Sequence, residues 1–150
     1  MKSIRHSIEI DAPKEKIWQV LWDDKTFRDW ANIIDQGTYM TGTLQEGAEV
    51  NFIGNSDGKV RYGVSSKVEK LIPLKLISFR KVEDIKVADD GSIEKRDDQW
   101  TGGVESYELE EHDGQVTLSI IEDVPDELVE YFENTLPKVL ERIKALAEAE

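Results

Sequence analysis

The chain has 150 residues, of which 39% are apolar and 34% charged, a balance ordinary for one soluble globular domain spanning residues 1–150. Its formal net charge of −13 argues against nucleic acid or an anionic membrane as a partner, since both bind basic surfaces. The chain contains no cysteine, which excludes disulfides, thiolate chemistry and thiol-based zinc sites. No segment resembles a signal peptide or a membrane helix, so we expect a cytoplasmic protein.

The N-terminal stretch predicts a strand followed by two short helices. Residues 4–10 alternate between apolar and polar side chains, which is typical of a half-buried strand. Asp11 is expected to cap the next helix, with Pro13 in its first turn. Segments 17–22 and 26–30 are short and rich in aromatic residues, and we expect them to form helices that pack against a larger element.

From Gly37 onward the pattern is one of strands and tight turns. Asp57-Gly58 and Asp113-Gly114 are hairpin signals, because both central positions of a type I′ turn require positive φ. Consecutive strands joined by such turns predict an antiparallel meander.

The segment Asp84–Gln99 is polar and leaves two alternatives open. The strand before it, Leu76–Val82, is expected to end at Glu83-Asp84, and Trp100 is expected to begin the next strand. Between them the chain forms either a long hairpin around Asp90-Gly91 or a mobile loop.

The C-terminal stretch Pro125–Ala147 predicts a long amphipathic helix, since its apolar residues recur at spacings of three and four. Pro137 removes a helical hydrogen bond, so we expect either a functional bend near Glu133 or a mild kink without functional meaning. The predicted fold class is α+β: a curved antiparallel sheet of about six or seven strands around this helix, with two short helices after the first strand.

Several strings occur in an order known from one protein family. They are Ile8–Trp18, Trp30, Lys67–Leu76, Gly103–Leu109, Gly114–Ile120 and Pro137–Leu146. Together they resemble the helix-grip fold of the START and birch-pollen-allergen (SRPBCC) superfamily, and more closely the bacterial homologues of the activator of Hsp90 ATPase. This similarity spans nearly the whole chain.

The resemblance implies a cavity between the sheet and the first half of the C-terminal helix. Large side chains with a few polar tips are typical of a pocket for a small apolar or amphipathic ligand, and equally of a solid core. The candidate ligand-binding residues are Trp22, Phe27, Phe52, Tyr62, Phe79, Arg80, Trp100, Glu105, Tyr107, Val129, Phe132 and Leu136.

The sequence contains no recognised catalytic, nucleotide-binding or metal-binding motif, and we expect no catalytic residue, metal or cofactor. His6 and His112 are the chain's two histidines, interpreted as a structural residue and a solvated turn residue. Glu105 shares a strand face with Tyr107, so it either lies in the cavity as an acid or base or pairs with a base such as Arg80.

Three functions follow as hypotheses. The first is a non-catalytic module that binds a small hydrophobic molecule. The second, implied by the resemblance, is a co-chaperone-like protein that interacts with Hsp90. The third is an enzyme of the polyketide cyclase/dehydratase kind, with Glu105, Arg80, Tyr62, Tyr107 and His6 as its candidate acid–base groups. Fold analogy alone is compatible with each of the three, so they have to be distinguished by the residues and geometry of the site.

Overall fold

The structure, a computed structural model, describes residues 1–54 and 60–149. The predicted Asp57-Gly58 turn lies outside these residues. Within them the elements are β1 (Lys2–Ile10), α1 (Lys14–Trp22), α2 (Asp24–Ala31), β2 (Tyr39–Gly42), β3 (Glu49–Gly54), β4 (Arg61–Ile72), β5 (Leu76–Val87), β6 (Ile93–Lys95), β7 (Val104–His112), β8 (Gln115–Val124), a 3-10 turn (Asp126–Leu128) and α3 (Val129–Glu148). None of the described helices is long and apolar enough to cross a membrane.

The eight strands of the described ranges form one antiparallel sheet. Its order is β1-β8-β7-β5-β4-β3-β2, and β6 pairs with the far end of β5. α3 packs across this sheet against β1 and β8, while α1 and α2 pack beside it. The predicted α+β helix-grip architecture is therefore confirmed, with eight strands rather than six or seven in the described part.

The two short helices complete the core beside α3. Trp22 and Phe27 are buried, and so is Trp30, whose indole nitrogen donates a hydrogen bond to the carbonyl of Val20 at 3.2 Å. This bond satisfies the buried polar atom of a large apolar side chain and fixes the angle between α1 and α2. The aromatic side chains of these helices therefore act as wedges between the sheet and α3.

α3 is one continuous helix through Pro137. Its buried residues recur at spacings of three and four, as the sequence predicts: Phe132, Thr135, Leu136, Val139, Leu140, Ile143 and Ala147. Pro137 itself lies on the exposed side, where water can reach the carbonyl of Glu133 that a proline cannot satisfy. The helix therefore accommodates the proline without restarting.

The predicted starts of α1 and β7 differ from those in the structure. Asp11 does not cap α1, because the helix begins at Lys14 with Pro13 as its N-cap; the backbone N–H of Asp11 instead donates to Glu148 at 2.8 Å. β7 begins at Val104 rather than at Trp100, since the preceding residues form a turn.

The Asp84–Gln99 segment forms the long hairpin, not the mobile loop. β5 runs on to Val87 instead of ending at Glu83-Asp84, and the backbone N–H of Ala88 donates to the carbonyl of Ser92 to close the turn into β6. The Asp113-Gly114 turn is also confirmed, because both residues have positive φ, 49° and 80°.

Candidate functional site

A cavity of about 370 Å³ lies between the sheet, the end of α2 and the start of α3. Its volume falls in the range of small-molecule sites. α3 contributes Tyr131 and Phe132 from its first turn, together with Leu128 just before it. Seven of the candidate ligand-binding residues line this space: Phe27, Phe52, Tyr62, Trp100, Glu105, Tyr107 and Phe132.

The other five candidates lie elsewhere. Trp22, Phe79 and Leu136 are buried in the core, where the ring of Trp22 packs 5.6 Å from that of Phe79. Val129 is partly buried beside the core but does not line the cavity. Arg80 lies on the outer face of the sheet.

Arg80 does not pair with Glu105. Its guanidinium donates to both carboxylate oxygens of Glu69, at 2.7 and 3.2 Å, and to the carbonyl of Gly102 at 3.0 Å. The base that approaches Glu105 is instead Lys81, one residue further along β5 and therefore on the opposite face of the sheet.

The deepest part of the cavity is polar. The Nζ atom of Lys81 donates to Oε2 of Glu122 at 3.0 Å and lies 3.8 Å from Oε1 of Glu105. The hydroxyl of Tyr107 donates to the other oxygen of Glu105. We call these four residues, Lys81, Glu105, Tyr107 and Glu122, the floor cluster. Each is less than 15% exposed, with side-chain values of 4% for Lys81, 13% for Glu105 and 7% for Glu122, and 3% for Tyr107 as a whole residue.

Burial and mutual charge shift the pKa values of this cluster. Burial, and then the neighbouring charge of Glu105, raise the pKa of Glu122 to about 8 despite the opposing effect of Lys81. Burial also raises the pKa of Tyr107 well above its usual value. Burial alone would lower the pKa of Lys81, but the charges of Glu122 and Glu105 outweigh it and the pKa is raised. These shifts favour the charged form of Lys81 and the protonated form of Glu122.

The strand register explains why these side chains meet. Glu105 on β7 is paired with Phe79 on β5 and with Glu122 on β8, so the three occupy one cross-strand row. Lys81 follows Phe79 by two positions and faces the same side. An irregularity in the pairing of β4 with β5 then leaves Val82 unpaired and exposed, which turns Asp84 towards the cavity.

Asp84 fixes one wall of the cavity. Its carboxylate accepts hydrogen bonds from the backbone N–H groups of Gln99, Trp100 and Thr101 and from the hydroxyl of Thr101, at 2.7 to 3.2 Å. These bonds hold Trp100 with its ring 4.4 Å from the Lys81 ammonium and 5.2 Å from the ring of Phe132. The charge of Asp84 is thereby satisfied locally, so we assign it a structural role.

Two further polar groups lie along the cavity. The guanidinium of Arg96 packs 4.2 Å from the centre of the Tyr62 ring. Burial raises the pKa of the Asp35 carboxyl. This carboxylate lies so close to Gly54 that a Cβ atom added to Gly54 would be 2.0 Å from the carboxylate oxygen. Gly54 is therefore needed for Asp35 to reach this wall.

Both histidines lie outside the cavity lining. Nε2 of His6 is 2.6 Å from Oε1 of Glu133, which joins β1 to α3. His112 is exposed at the β7–β8 turn, 3.6 Å from Glu9. Their positions fit structural and solvated roles better than a role in the site.

The sequence interpretation missed Lys81, Glu122 and Asp84. A signal for Glu122 was present, because Leu118, Ile120 and Glu122 are in phase on one strand. Charged residues in phase with buried ones are rare enough to mark a site.

A model of the family described as "Activator of Hsp90 ATPase homolog 1-like protein" matches residues 11–148. Among solved structures, protein MLL2253 of Mesorhizobium loti is similar with a TM-score of 0.71 and 14% identity, over 97% of this chain and 96% of its own. Protein CV1439 of Chromobacterium violaceum has a TM-score of 0.70 and 18% identity, over 99% of this chain and 98% of its own. The Aha1 dimer of Colwellia psychrerythraea has a TM-score of 0.65 and 23% identity, over 99% of this chain and 96% of its own.

A search of curated proteins finds no significant match. The structural similarities support the fold alone, since each identity is below a quarter. The family match spans almost the whole chain. The chain therefore belongs to the family of activator of Hsp90 ATPase homologue 1-like proteins.

Proposed function

We propose that this protein is a cytoplasmic binding module for a small amphipathic molecule, held between the sheet and the first turn of α3. The observation that carries the proposal is the combination of an apolar, aromatic wall with a polar floor in one cavity of about 370 Å³. Trp100 and Phe132 offer surface to an apolar body, and the floor cluster offers hydrogen bonds to one polar end. An entirely apolar ligand would leave that end unmatched.

Octanol tests this proposal as a neutral amphipathic probe. Titration should shift the amide and indole NMR resonances of Trp100 and the amide resonance of Phe132. It should also raise the unfolding midpoint, because a ligand that binds only the folded state stabilises it. Resonance changes scattered over the exposed outer face of the sheet, with none near Phe132, would contradict the proposal. Native mass spectrometry of protein purified from its own host would then search for the natural ligand.

A matched pair of variants separates cavity binding from surface binding. Val64 lines the cavity, so Val64→Phe should fill part of it and weaken octanol binding at least severalfold. Val82 is 54% exposed and outside the cavity lining, so Val82→Phe adds the same atoms where they should not matter. Equal affinities in the two variants would argue against the cavity as the binding site.

A second candidate function is acid–base catalysis on a bound molecule. The observation that favours it is Glu122, a cavity-lining carboxyl whose pKa of about 8 lets it give or take a proton near neutral pH. Glu105, Tyr107 and Tyr62 also line the cavity, whereas Arg80 and His6 do not. Proton exchange at carbon next to the carbonyl of a bound octanone, followed by NMR in heavy water, would test it; exchange no faster than in Glu122→Gln would rule it out.

An interaction with Hsp90 is supported only by the family match. The test is to mix the purified protein with Hsp90 from the same organism and to measure binding and the ATPase rate of Hsp90. Absence of binding together with an unchanged ATPase rate would rule out the co-chaperone hypothesis without affecting the binding-module proposal.

A further inference from the structure

The side chains that line the cavity carry more acidic than basic groups. Four are carboxyl side chains and two are basic: Asp35, Asp84, Glu105 and Glu122 against Lys81 and Arg96. The charge of Asp84 is satisfied by backbone N–H groups. The imbalance is therefore sharpest at the floor, where two carboxyl groups share one ammonium.

Lys81 supplies one positive charge to two acids. It donates a hydrogen bond to Glu122, but its 3.8 Å distance from Glu105 is too long for a second one. Two ionised carboxylates around one lysine leave a net negative charge in a buried place. Among the described residues, Lys81 is the cation within 4 Å of these two carboxyl groups, so protonation of one of them relieves the repulsion.

We propose that the polar end of the ligand is a protonated amine, which binds between Glu105 and Glu122 while its apolar body lies against Trp100 and Phe132. This inference rests on the proposed binding function. An ammonium group would supply the missing positive charge and hydrogen-bond donors to two carboxylates, and charge-assisted bonds of this kind are about twice as strong as neutral ones.

The same charges disfavour an acidic ligand such as a fatty acid. The ammonium of Lys81 is already engaged by Glu122 and by the face of Trp100. The other basic group, Arg96, packs on the ring of Tyr62. A carboxylate head at the floor would instead meet two carboxyl groups, and the overall charge of −13 repels it at longer range.

Binding of an amine should release a proton. The titratable groups facing Glu122 are Lys81 from β5 and Glu105 and Tyr107 from β7, while Leu128 and Phe132 close the cavity from the α3 side. An ammonium beside Glu122 opposes the shift that raises the pKa of this carboxyl, so binding of an amine at neutral pH should displace a proton from it. A neutral ligand leaves Glu122 protonated.

Octylamine, octanol and octanoate test this on the intact protein, since they share one chain and differ in head-group charge. Calorimetry at neutral pH in two buffers of different ionisation enthalpy measures affinity and proton release together. We expect octylamine to bind roughly tenfold or more tightly than octanol, with octanoate weakest, and only octylamine to release a proton.

Glu122→Gln provides the decisive variant because it keeps the side-chain shape. Octylamine affinity should fall severalfold more than octanol affinity, because only the amine loses the charge of a carboxylate partner. Glu127→Gln makes the same replacement at an exposed position outside the cavity lining and should leave both affinities unchanged.

The outcomes separate this inference from the proposed function. If octanol binds in the cavity but octylamine binds no better, or octanoate binds best, the amine inference is overturned and the binding module stands. If none of the three probes binds, both fall. If Glu122→Gln fails to fold, Glu105→Gln takes its place, and an unchanged amine preference in that variant also overturns the inference.

Discussion

Glu105 and Glu122 are directly opposite each other on neighbouring strands, and both approach the ammonium group of Lys81. Opposed like charges normally destabilise a sheet. Here the pair is maintained by a shared cation and by protonation, which makes the stability of the fold depend on pH.

The first prediction concerns that pH dependence. The pKa of Glu122 rises from 4.5, its ordinary value, to about 8 on folding. The folded state therefore binds more protons between these values, so the contribution of Glu122 to stability is full below about pH 4.5 and is lost as the pH rises towards 8. We expect this carboxyl to contribute on the order of 1 kcal/mol or more to the loss. Urea unfolding of the wild type and Glu122→Gln at about pH 5 and pH 8.5 measures it.

Glu122→Gln also weakens the hydrogen bond to Lys81, which changes the free energy of unfolding independently of the titration. The quantity to compare is therefore the slope of the free energy of unfolding against pH. Glu122→Gln should show a flatter slope than the wild type over this range. The exposed control Glu127→Gln should retain the wild-type slope. Identical slopes in all three proteins would mean that Glu122 does not titrate in this window.

The second prediction concerns Lys81. Lys81→Met removes the cation that two buried carboxyl groups share, and breaking a buried ion pair typically costs about 3 to 5 kcal/mol. The loss should be greater at alkaline than at acid pH, since protonation relieves the repulsion between the two acids. Lys86→Met is the matched control: Lys86 lies on the same strand, 43% exposed, and pairs with Glu94, so its removal should cost less than about 1 kcal/mol.

The third prediction concerns Asp84. Asp84→Ala leaves three backbone N–H groups of residues 99–101 without their acceptor and should cost about 2 kcal/mol or more. Hydrogen exchange at the Trp100 amide should accelerate, because that amide loses its partner. Asp89→Ala, at an exposed position in the same hairpin, should change neither quantity. Retained protection at Trp100 in Asp84→Ala would contradict the assigned role.

The fourth prediction compares two glycines. A Cβ at Gly63 would lie 2.2 Å from the backbone oxygen of Phe52, whereas one at Gly54 would meet the side chain of Asp35, which can move. Gly63→Ala should therefore cost about 1 to 3 kcal/mol in the free energy of unfolding, and Gly54→Ala less. Adding Asp35→Ala should reduce the free-energy cost of Gly54→Ala, since it removes the clashing side chain, but should not reduce the cost of Gly63→Ala. Thermal unfolding of the four variants checks this.

The global fold was predictable because strand alternation, the turn at Asp113-Gly114 and the long apolar stripe of α3 agree with one another. The resemblance to a family added the helix-grip arrangement. The aromatic side chains could be assigned to the interior as a group, but not divided between cavity and core. That division depends on how tightly the neighbouring side chains cover each ring: Phe52 and Phe79 pack against each other on the same side of the sheet, 5.0 Å apart, yet only Phe52 reaches the cavity.

The floor cluster was harder to predict because it depends on register. Glu105 was recognisable from its own strand, but its partner Lys81 requires knowing that β7 pairs with β5 and that Arg80 faces outward. The unpaired Val82 then shifts the phase of β5, so a simple alternation misassigns Asp84. Sequence patterns define faces within a strand, whereas this site is built across three strands.

The hydrogen bonds from residues 99–101 to Asp84 fix the base of the β5–β6 hairpin, whose β5 strand remains paired with β4 as far as Val87. Only the turn at 88–92 lies beyond the β4 pairing, and it is closed by its own backbone hydrogen bonds. Insertions or deletions in that turn can therefore change the length and charge of the hairpin tip without moving Trp100. Relatives of this protein could in this way alter the outer rim of the cavity while keeping its floor constant.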